Sequence, residues 1–247
     1  MRGEPEWSEV FYAGANGRRF RFPSPMKLLR LPNVVLLLAL FAQVIAYPFL
    51  AQWAYGRTAI VLVDWAILVA ALRAARASGS EMLWGYALLV AAVALQALEA
   101  LSDNGAAHGA SLLTQAAFHG YVVICLLRYV LRDDIMTLDE LFAAASMYAL
   151  LAFAFSYVYA FIEFMVPGAF MINSTNNADN VTSWWELLYF SFTCITSVGF
   201  GEITPVSDHA RSAVMVEEML GVLYLAILIS RLISISRRAR LGSTRGE

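Results

Sequence analysis

Residues 193–205 read T-C-I-T-S-V-G-F-G-E-I-T-P. The hydroxyls of Thr193, Thr196 and Ser197 precede Gly199 and Gly201, which flank Phe200, and the carboxylate of Glu202 follows. No catalytic constellation accompanies them. The three histidines of the chain are scattered, and G-F-G is not a phosphate-binding glycine loop, so no enzyme chemistry is predicted. What the stretch offers instead is backbone, placed where one apolar run stops and before another starts. Irregular backbone at membrane depth persists only where protein buries it or where it lines a water-filled path. Residues 197–201 are therefore predicted to line a pore.

The elements around that stretch are set by composition. Of 247 residues, 60% are hydrophobic and 15% charged, against about 25% charged in a soluble domain, and the mean hydropathy is +0.63. These values describe an integral membrane protein and leave no basis for a nucleic-acid partner. Six apolar runs, at about 33–54, 58–77, 82–101, 110–131, 138–166 and 208–236, are each long enough for a hydrocarbon core of about 30 Å. Thr137 and Glu140 make a capping-box pattern ahead of the fifth, and Ser183 and Glu186 make a second one. A helix is thus predicted to start at Trp184 and to stay apolar through Thr196. At about 13 residues it is too short to cross a bilayer, so it must enter and return. The fold expected is all-α: six transmembrane helices with a re-entrant helix and loop between the fifth and sixth.

Charge placement orients the spans. Fifteen of the seventeen basic residues fall at the N-terminus, the ends of the second and fourth spans, or the C-terminus, leaving Arg57 and Arg211 on the other side. The excess of basic residues marks the cytoplasmic face, so both termini are expected there, in a multi-pass protein of the cell (plasma or inner) membrane. Residues 1–32 read as an interfacial segment lying along the inner leaflet, and 237–247 as a short cytoplasmic tail. Cys125 and Cys194 both lie within apolar runs, where neither a structural disulfide nor a metal spacing is expected.

The motif T-S-V-G-F-G-E resembles the selectivity filter of potassium channels, whose usual form is T-T-V-G-Y-G-D or T-x-x-G-F-G-D/E. The resemblance implies a filter of Thr196, Ser197, Val198, Gly199, Phe200 and Gly201. Carbonyls of Ser197, Val198, Gly199 and Phe200 would replace the hydration shell of permeant K+, the one ligand implied, with no organic cofactor. Two glycines suit such a filter, because aiming successive carbonyls to one side needs alternating backbone handedness and glycine adopts positive φ freely. Glu202 stands where these channels usually carry Asp. Tyr189, 13 residues earlier, stands where an aromatic donor commonly bonds that carboxylate. Thr193 stands where some relatives carry Glu. Ser197 replaces the family's Thr, which leaves a weakly selective cation channel open as an alternative, besides a non-conducting pore-like scaffold.

The six-span plan resembles the voltage-gated cation channel superfamily, in its bacterial-type form without a charged voltage sensor. It implies a voltage-sensor-like four-helix domain at 33–132 and a pore domain at 133–236. One chain supplies one filter strand and one pore helix, so a closed ring of carbonyls implies a homotetramer among membrane lipids, with any further gating partner separate. Voltage sensing needs several arginines at three-residue spacing in the fourth helix, and only Arg128 and Arg132 occur there, at its inner end. In the sixth span, Gly221 matches a hinge glycine, or else packs against a neighbouring helix. Val222, Leu225, Ile229 and Ile233 are expected to share its face and line the cavity and its inner mouth. Glu217 and Glu218, carboxylates inside an apolar span, default to a functional reading. One is expected to hold the pore helix through Ser191 or Thr193 and the other to concentrate cations, in either assignment. Arg231 is expected to meet Asp133, Asp134, Asp139 or Glu140 and so couple the first four helices to the gate. Asp64 is expected to pair with His119 or with a polar group on a neighbouring helix.

Overall fold

The computed structural model describes residues 29, 31–77, 82–101, 105–132, 137–173 and 181–243, with residues 57, 77 and 234–243 described as backbone only. Among the described residues, six helices are long and apolar enough to cross a membrane. They are α1 (Pro32–Ala51), α2 (Gly56–Ala77), α3 (Met82–Leu101), α4 (Gly105–Val130), α5 (Leu138–Met165) and α7 (Asp208–Ser243). The short α6 (Trp184–Ile195) lies between the last two, flanked by β1 (Phe170–Ile172) and β2 (Ile203–Pro205).

Local chemistry accounts for the ends. Pro32 opens α1 at its first turn, where the missing N–H leaves no bond unmade. Thr137 and Glu140 close a full capping box on α5, with the Glu140 carboxylate accepting the Thr137 N–H at 2.8 Å. The fourth helix begins at Gly105, five residues before the apolar run suggests. There His108 Nδ1 sits 2.8 Å from Glu99 Oε1 of α3, so polar residues at the outer end extend the helix beyond its hydrophobic stretch. The two-stranded β1–β2 pair, antiparallel with Phe170 opposite Pro205 and Ile172 opposite Ile203, departs from the all-α expectation. Three-residue strands are too short for a period-two pattern to register in sequence.

Among helices in a bilayer, association rests on close packing and hydrogen bonds rather than on exclusion of water. The core shows this. Small residues, Ala71, Ala74 and Ala75 of α2, Ala92 of α3 and Ala143 and Ala144 of α5, are buried at the crossings and let backbones approach. Asn33, Leu36, Leu40 and Gln43 form one buried stripe along α1, and α1 packs on α2 and α5. On α4 the stripe of Ser111, Gln115, Phe118, Val122 and Leu126 is buried, and α4 packs chiefly on α5 and then on α3. The first four helices thus lean on α5 of their own chain. Near the N-terminal ends of α1 and α5 this junction is polar: Asn33 Nδ2 donates to Asp139 Oδ2 at 2.7 Å, the Tyr129 hydroxyl donates to the same oxygen at 3.1 Å, and Ser146 Oγ donates to the Asn33 carbonyl at 3.1 Å.

A second core, of Tyr159, Phe170, Leu187, Phe190, Ile203 and Val214, joins α5, α6 and α7 to the strand pair. It fixes the short helix against the two long ones.

Candidate functional site

The short helix is anchored at its start. Ser183 Oγ accepts from the Glu186 N–H at 3.3 Å, and the Glu186 carboxylate accepts from the Ser183 N–H at 2.7 Å. Helix α6 has 12 residues, which at 1.5 Å each span about 18 Å, well short of a bilayer core. Its buried side, Leu187, Leu188, Phe190, Ser191, Cys194 and Ile195, faces α5 and α7. At the start of α6, the Trp185 ring stacks on Tyr47 of α1, with centroids 4.0 Å apart and planes 5° apart.

At its C-terminal end the chain turns over itself. Thr196 Oγ1 donates to the Phe192 carbonyl at 2.6 Å, and Ser197 N–H donates to the Cys194 carbonyl at 2.9 Å. The next two amides, of Val198 and Gly199, both reach the Thr193 carbonyl, at 2.9 and 3.1 Å. Backbone φ is then +58° at Ser197, +52° at Gly199 and +78° at Gly201, while Val198 and Phe200 keep negative values. This alternation places successive peptide planes in opposite hands. Ser197 is the one non-glycine with positive φ among the described residues, at a cost of roughly 1–2 kcal/mol. Among the described residues no donor is bound to the carbonyls of Ser197, Val198, Gly199 or Phe200. The segment is exposed on the single chain.

Two anchors hold the far end of the loop, beside the strand pair. Asn173 N–H donates to the Glu202 carbonyl at 2.9 Å. The Glu163 carboxylate at the end of α5 accepts the amides of Gly168 and Phe170 at 2.7 and 2.9 Å, which shapes the turn into β1 and hence the pairing with β2. The Tyr189 hydroxyl donates to Glu202 Oε2 at 3.2 Å, and its ring stacks on Phe200 with centroids 6.3 Å apart. Both residues are exposed. A Tyr189→Phe variant keeps the stack and loses only a solvent-accessible bond. Its melting temperature is expected to fall by no more than about 0.5–1.5 kcal/mol of stability implies, checked by thermal denaturation of the purified protein.

Behind the loop, Glu217 is fully buried. Its carboxyl accepts from the Ser191 hydroxyl of α6 and the Tyr159 hydroxyl of α5, joining three helices at one group. Ser191 also lies 2.8 Å from the Ala152 carbonyl. The Tyr148 hydroxyl donates to the Ile195 carbonyl at 2.8 Å, one of the terminal carbonyls that a helix cannot satisfy itself. The Tyr224 hydroxyl donates to the Ala144 carbonyl at 2.6 Å. Glu218 is exposed and, with Met219 and Val222 of α7 and Thr193, Ser197 and Gly199, lines a space of about 610 Å³. The geometry thus separates the two carboxylates: Glu217 belongs to the framework, not to the exposed face, and Glu218 lies on the exposed side.

Gly221 is buried, whereas Val222, Leu225, Ile229 and Ile233, expected on its face, are exposed. It belongs to the buried stripe Ala210, Val214, Glu217, Gly221. A Cβ at Gly221 would lie 2.8 Å from both the Ile195 carbonyl oxygen and Ile195 Cγ1, so the absent side chain is what lets α7 cross the end of α6. A Gly221→Ala variant must push α7 away from that backbone. It is expected to cost about 1–3 kcal/mol, read as a lowered melting temperature of the purified protein.

Several sequence-based expectations fall elsewhere. Asp133 and Asp134 lie outside the described residues. Asp139 accepts from Asn33 and Tyr129 and Glu140 accepts from the Thr137 N–H; Arg231 is half-buried on α7, and it and Glu140 each have a further interaction partner. Asp64 pairs, as one branch of the expectation had it, with polar groups on neighbouring helices rather than with His119: its carboxylate accepts from Gln43 of α1 and Gln96 of α3, and Gln96 in turn accepts from the Trp65 indole at 2.7 Å. His119 Nδ1 lies 2.8 Å from the Gln115 carbonyl, and its ring packs against Phe118, Phe153 and Tyr157. Tyr148, Tyr159, Glu163 and Tyr224 were not singled out by sequence. Their spacing carries no motif, since each reaches a partner on another element.

Searches of curated proteins and of solved structures return no match. Residues 147–238, from within α5 through α6 and the glycine loop into α7, match the family model described as ion channel. That match, on a chain with six helices long and apolar enough to span a membrane, supports an ion channel in a multi-pass membrane protein.

Proposed function

We propose that the chain is one subunit of a homotetrameric, potassium-selective channel that conducts K+ passively across the cell membrane. The observation that carries this reading is the alternation of positive φ at Ser197, Gly199 and Gly201 in a loop whose carbonyls have no internal donor. Four such loops around one axis would present stacked rings of oxygens in place of a cation's hydration shell. K+ would then sit at the carbonyls of Ser197, Val198, Gly199 and Phe200. Helix α6 would re-enter from the outer side and direct its C-terminal end, which carries partial negative charge, toward the space that Glu218 borders. Both termini would be cytoplasmic.

In this reading Val222, Leu225, Ile229 and Ile233 face the conduction path, where an apolar constriction gates by dewetting. Residues 33–132 form a four-helix domain that responds weakly or not at all to voltage. Arg128 lies in the last turn of the fourth helix and Arg132 just beyond its end, and the buried carboxylate of Asp64 is matched by glutamine amides rather than by an arginine.

Reconstitution of the full chain in liposomes tests the reading. Cation flux is expected to follow an imposed potassium gradient and to reject sodium. Equal flux of both ions would instead support a weakly selective cation channel, for which the serine at position 197 is the feature to examine.

A further inference from the structure

The turn that ends α6 leaves one carbonyl for another helix to hold. Its amides follow a Schellman-type stop: Ser197 N–H returns to the Cys194 carbonyl and Val198 N–H to the Thr193 carbonyl. The residue at the junction of such a stop sits in the left-handed region and is usually glycine. Here it is Ser197, at φ +58°. The stop satisfies Thr193 and Cys194 but not Ile195, whose carbonyl receives no backbone amide among the described residues. Its donor is the Tyr148 hydroxyl of α5, at 2.8 Å.

Tyr148 is itself held in place. Its ring stacks on Tyr224 of α7, with centroids 5.8 Å apart and planes 21° apart. The Tyr224 hydroxyl donates to the Ala144 carbonyl, one turn before Tyr148 on α5, at 2.6 Å. Gly221, three residues before Tyr224, brings the α7 backbone so close that a Cβ there would lie 2.8 Å from the Ile195 oxygen. Ile195, itself buried, is thus gripped from two sides: α7 abuts it and α5 bonds it.

We infer that Tyr148 is a positioning residue for the loop: its hydroxyl keeps the last turn of α6 wound, and that turn keeps Ser197 at positive φ. A residue with a side chain stays in the left-handed region only where its surroundings over-determine it. Without the hydroxyl, the Ile195 carbonyl becomes a buried acceptor with no donor, a costly state. The turn escapes that state by rewinding to bring one of its own amides to Ile195, which releases Ser197 to negative φ. The release rotates the Thr196–Ser197 peptide and takes its carbonyl out of line with those of Val198 and Gly199. The consequence for ion selection rests on the potassium-channel reading; the hold on Ser197 does not.

Tyr148→Phe keeps the ring and its stack on Tyr224 and removes only the hydroxyl. Tyr224→Phe is the control, because it removes a similar hydroxyl–carbonyl bond between α7 and α5 and leaves Ile195 its donor. Ser197–Val198 is the only serine–valine step in the sequence. The full chain labelled with ¹³C-serine and ¹⁵N-valine and reconstituted in bilayers therefore yields one selected serine signal by solid-state NMR, whose Cα and Cβ shifts report the sign of φ. The left-handed signal is expected in wild type and Tyr224→Phe, and its loss in Tyr148→Phe. In a planar bilayer between potassium and sodium, Tyr148→Phe is expected to lower the potassium-to-sodium permeability ratio several-fold, and Tyr224→Phe to leave it unchanged. A wild-type signal outside the left-handed region, no shift in Tyr148→Phe, or equal shifts in both variants would overturn the positioning role. A shifted serine with an unaltered permeability ratio would overturn its link to ion selection. A wild type that does not distinguish the two ions would refute potassium selectivity, and the serine signal would still decide the role of Tyr148.

Discussion

Replacing Gly199 with alanine is expected to abolish potassium flux while leaving the protein folded. Size is not the obstacle on the single chain, because a Cβ at Gly199 meets nothing within 4 Å. The obstacle is the backbone: φ is +52°, where an L-residue with a side chain costs roughly 1–2 kcal/mol. Ser197 already sits at +58° next to it, so the loop has little further tolerance for strain. The alanine relieves its cost by returning to negative φ, which rotates the adjoining peptide and turns a carbonyl from one side of the loop to the other. Stability changes little, since the segment is exposed and, among the described residues, its backbone is bound only through the Ser197, Val198 and Gly199 amides. Conduction, which depends on where the carbonyl points, changes completely. Paired flux and thermal-denaturation measurements check this. Wild-type flux from the variant would remove the backbone of residues 197–201 from the conduction path.

The second large effect is expected at Glu217. Leucine is close in volume but leaves the Ser191 and Tyr159 hydroxyls without their shared acceptor. Ser191 can turn to the Ala152 carbonyl at 2.8 Å, whereas Tyr159, fully buried, has no other acceptor among its recorded bonds. An orphaned buried donor costs about 1–3 kcal/mol, and interhelical bonds in membrane proteins average about 0.6 with a maximum near 1.7 kcal/mol. Glu217→Leu is thus expected to lose about 1–2 kcal/mol and, because the bond ties α6 to α5 and α7, to reduce flux disproportionately. Glu217→Gln retains one acceptor oxygen for Tyr159. Its amide can donate to Ser191 once that hydroxyl turns to Ala152, so near-normal stability and flux are expected. Thermal denaturation and liposome flux of the two variants, measured side by side, check this. If both variants behave alike, the carboxyl is not acting through these hydrogen bonds.

Much of this architecture is legible in the sequence because it follows from local rules. Six apolar runs predict six helices, and the Ser183–Glu186 pair places the start of α6 at Trp184, where the structure has it. The paired glycines mark the positions of positive φ. Serine at 197 gives no such signal, since its conformation is imposed by the turn at the end of α6. Less legible was the rotation of α7 about its axis. The helix is apolar on nearly every side, so no polar face announces which residues turn inward, and Glu217 and Glu218 are adjacent in a segment with no visible phase. The buried stripe at 210, 214, 217 and 221 becomes apparent only once α6 is in place. Gly221 illustrates the same limit: a glycine in a long helix permits either a bend or a close crossing, and only the 2.8 Å approach to Ile195 distinguishes them. The partners of Asp64 were beyond reach for a related reason, since Gln43 and Gln96 come from two other helices.

The most direct test of selective conduction is the reversal potential of the purified protein in a planar bilayer, with potassium on one side and sodium at equal concentration on the other. A ring of carbonyls that replaces the hydration shell of K+ predicts a reversal potential displaced far from zero, toward the value that stops potassium current. A reversal potential at zero, with measurable current, would contradict a potassium-selective filter at residues 196–201.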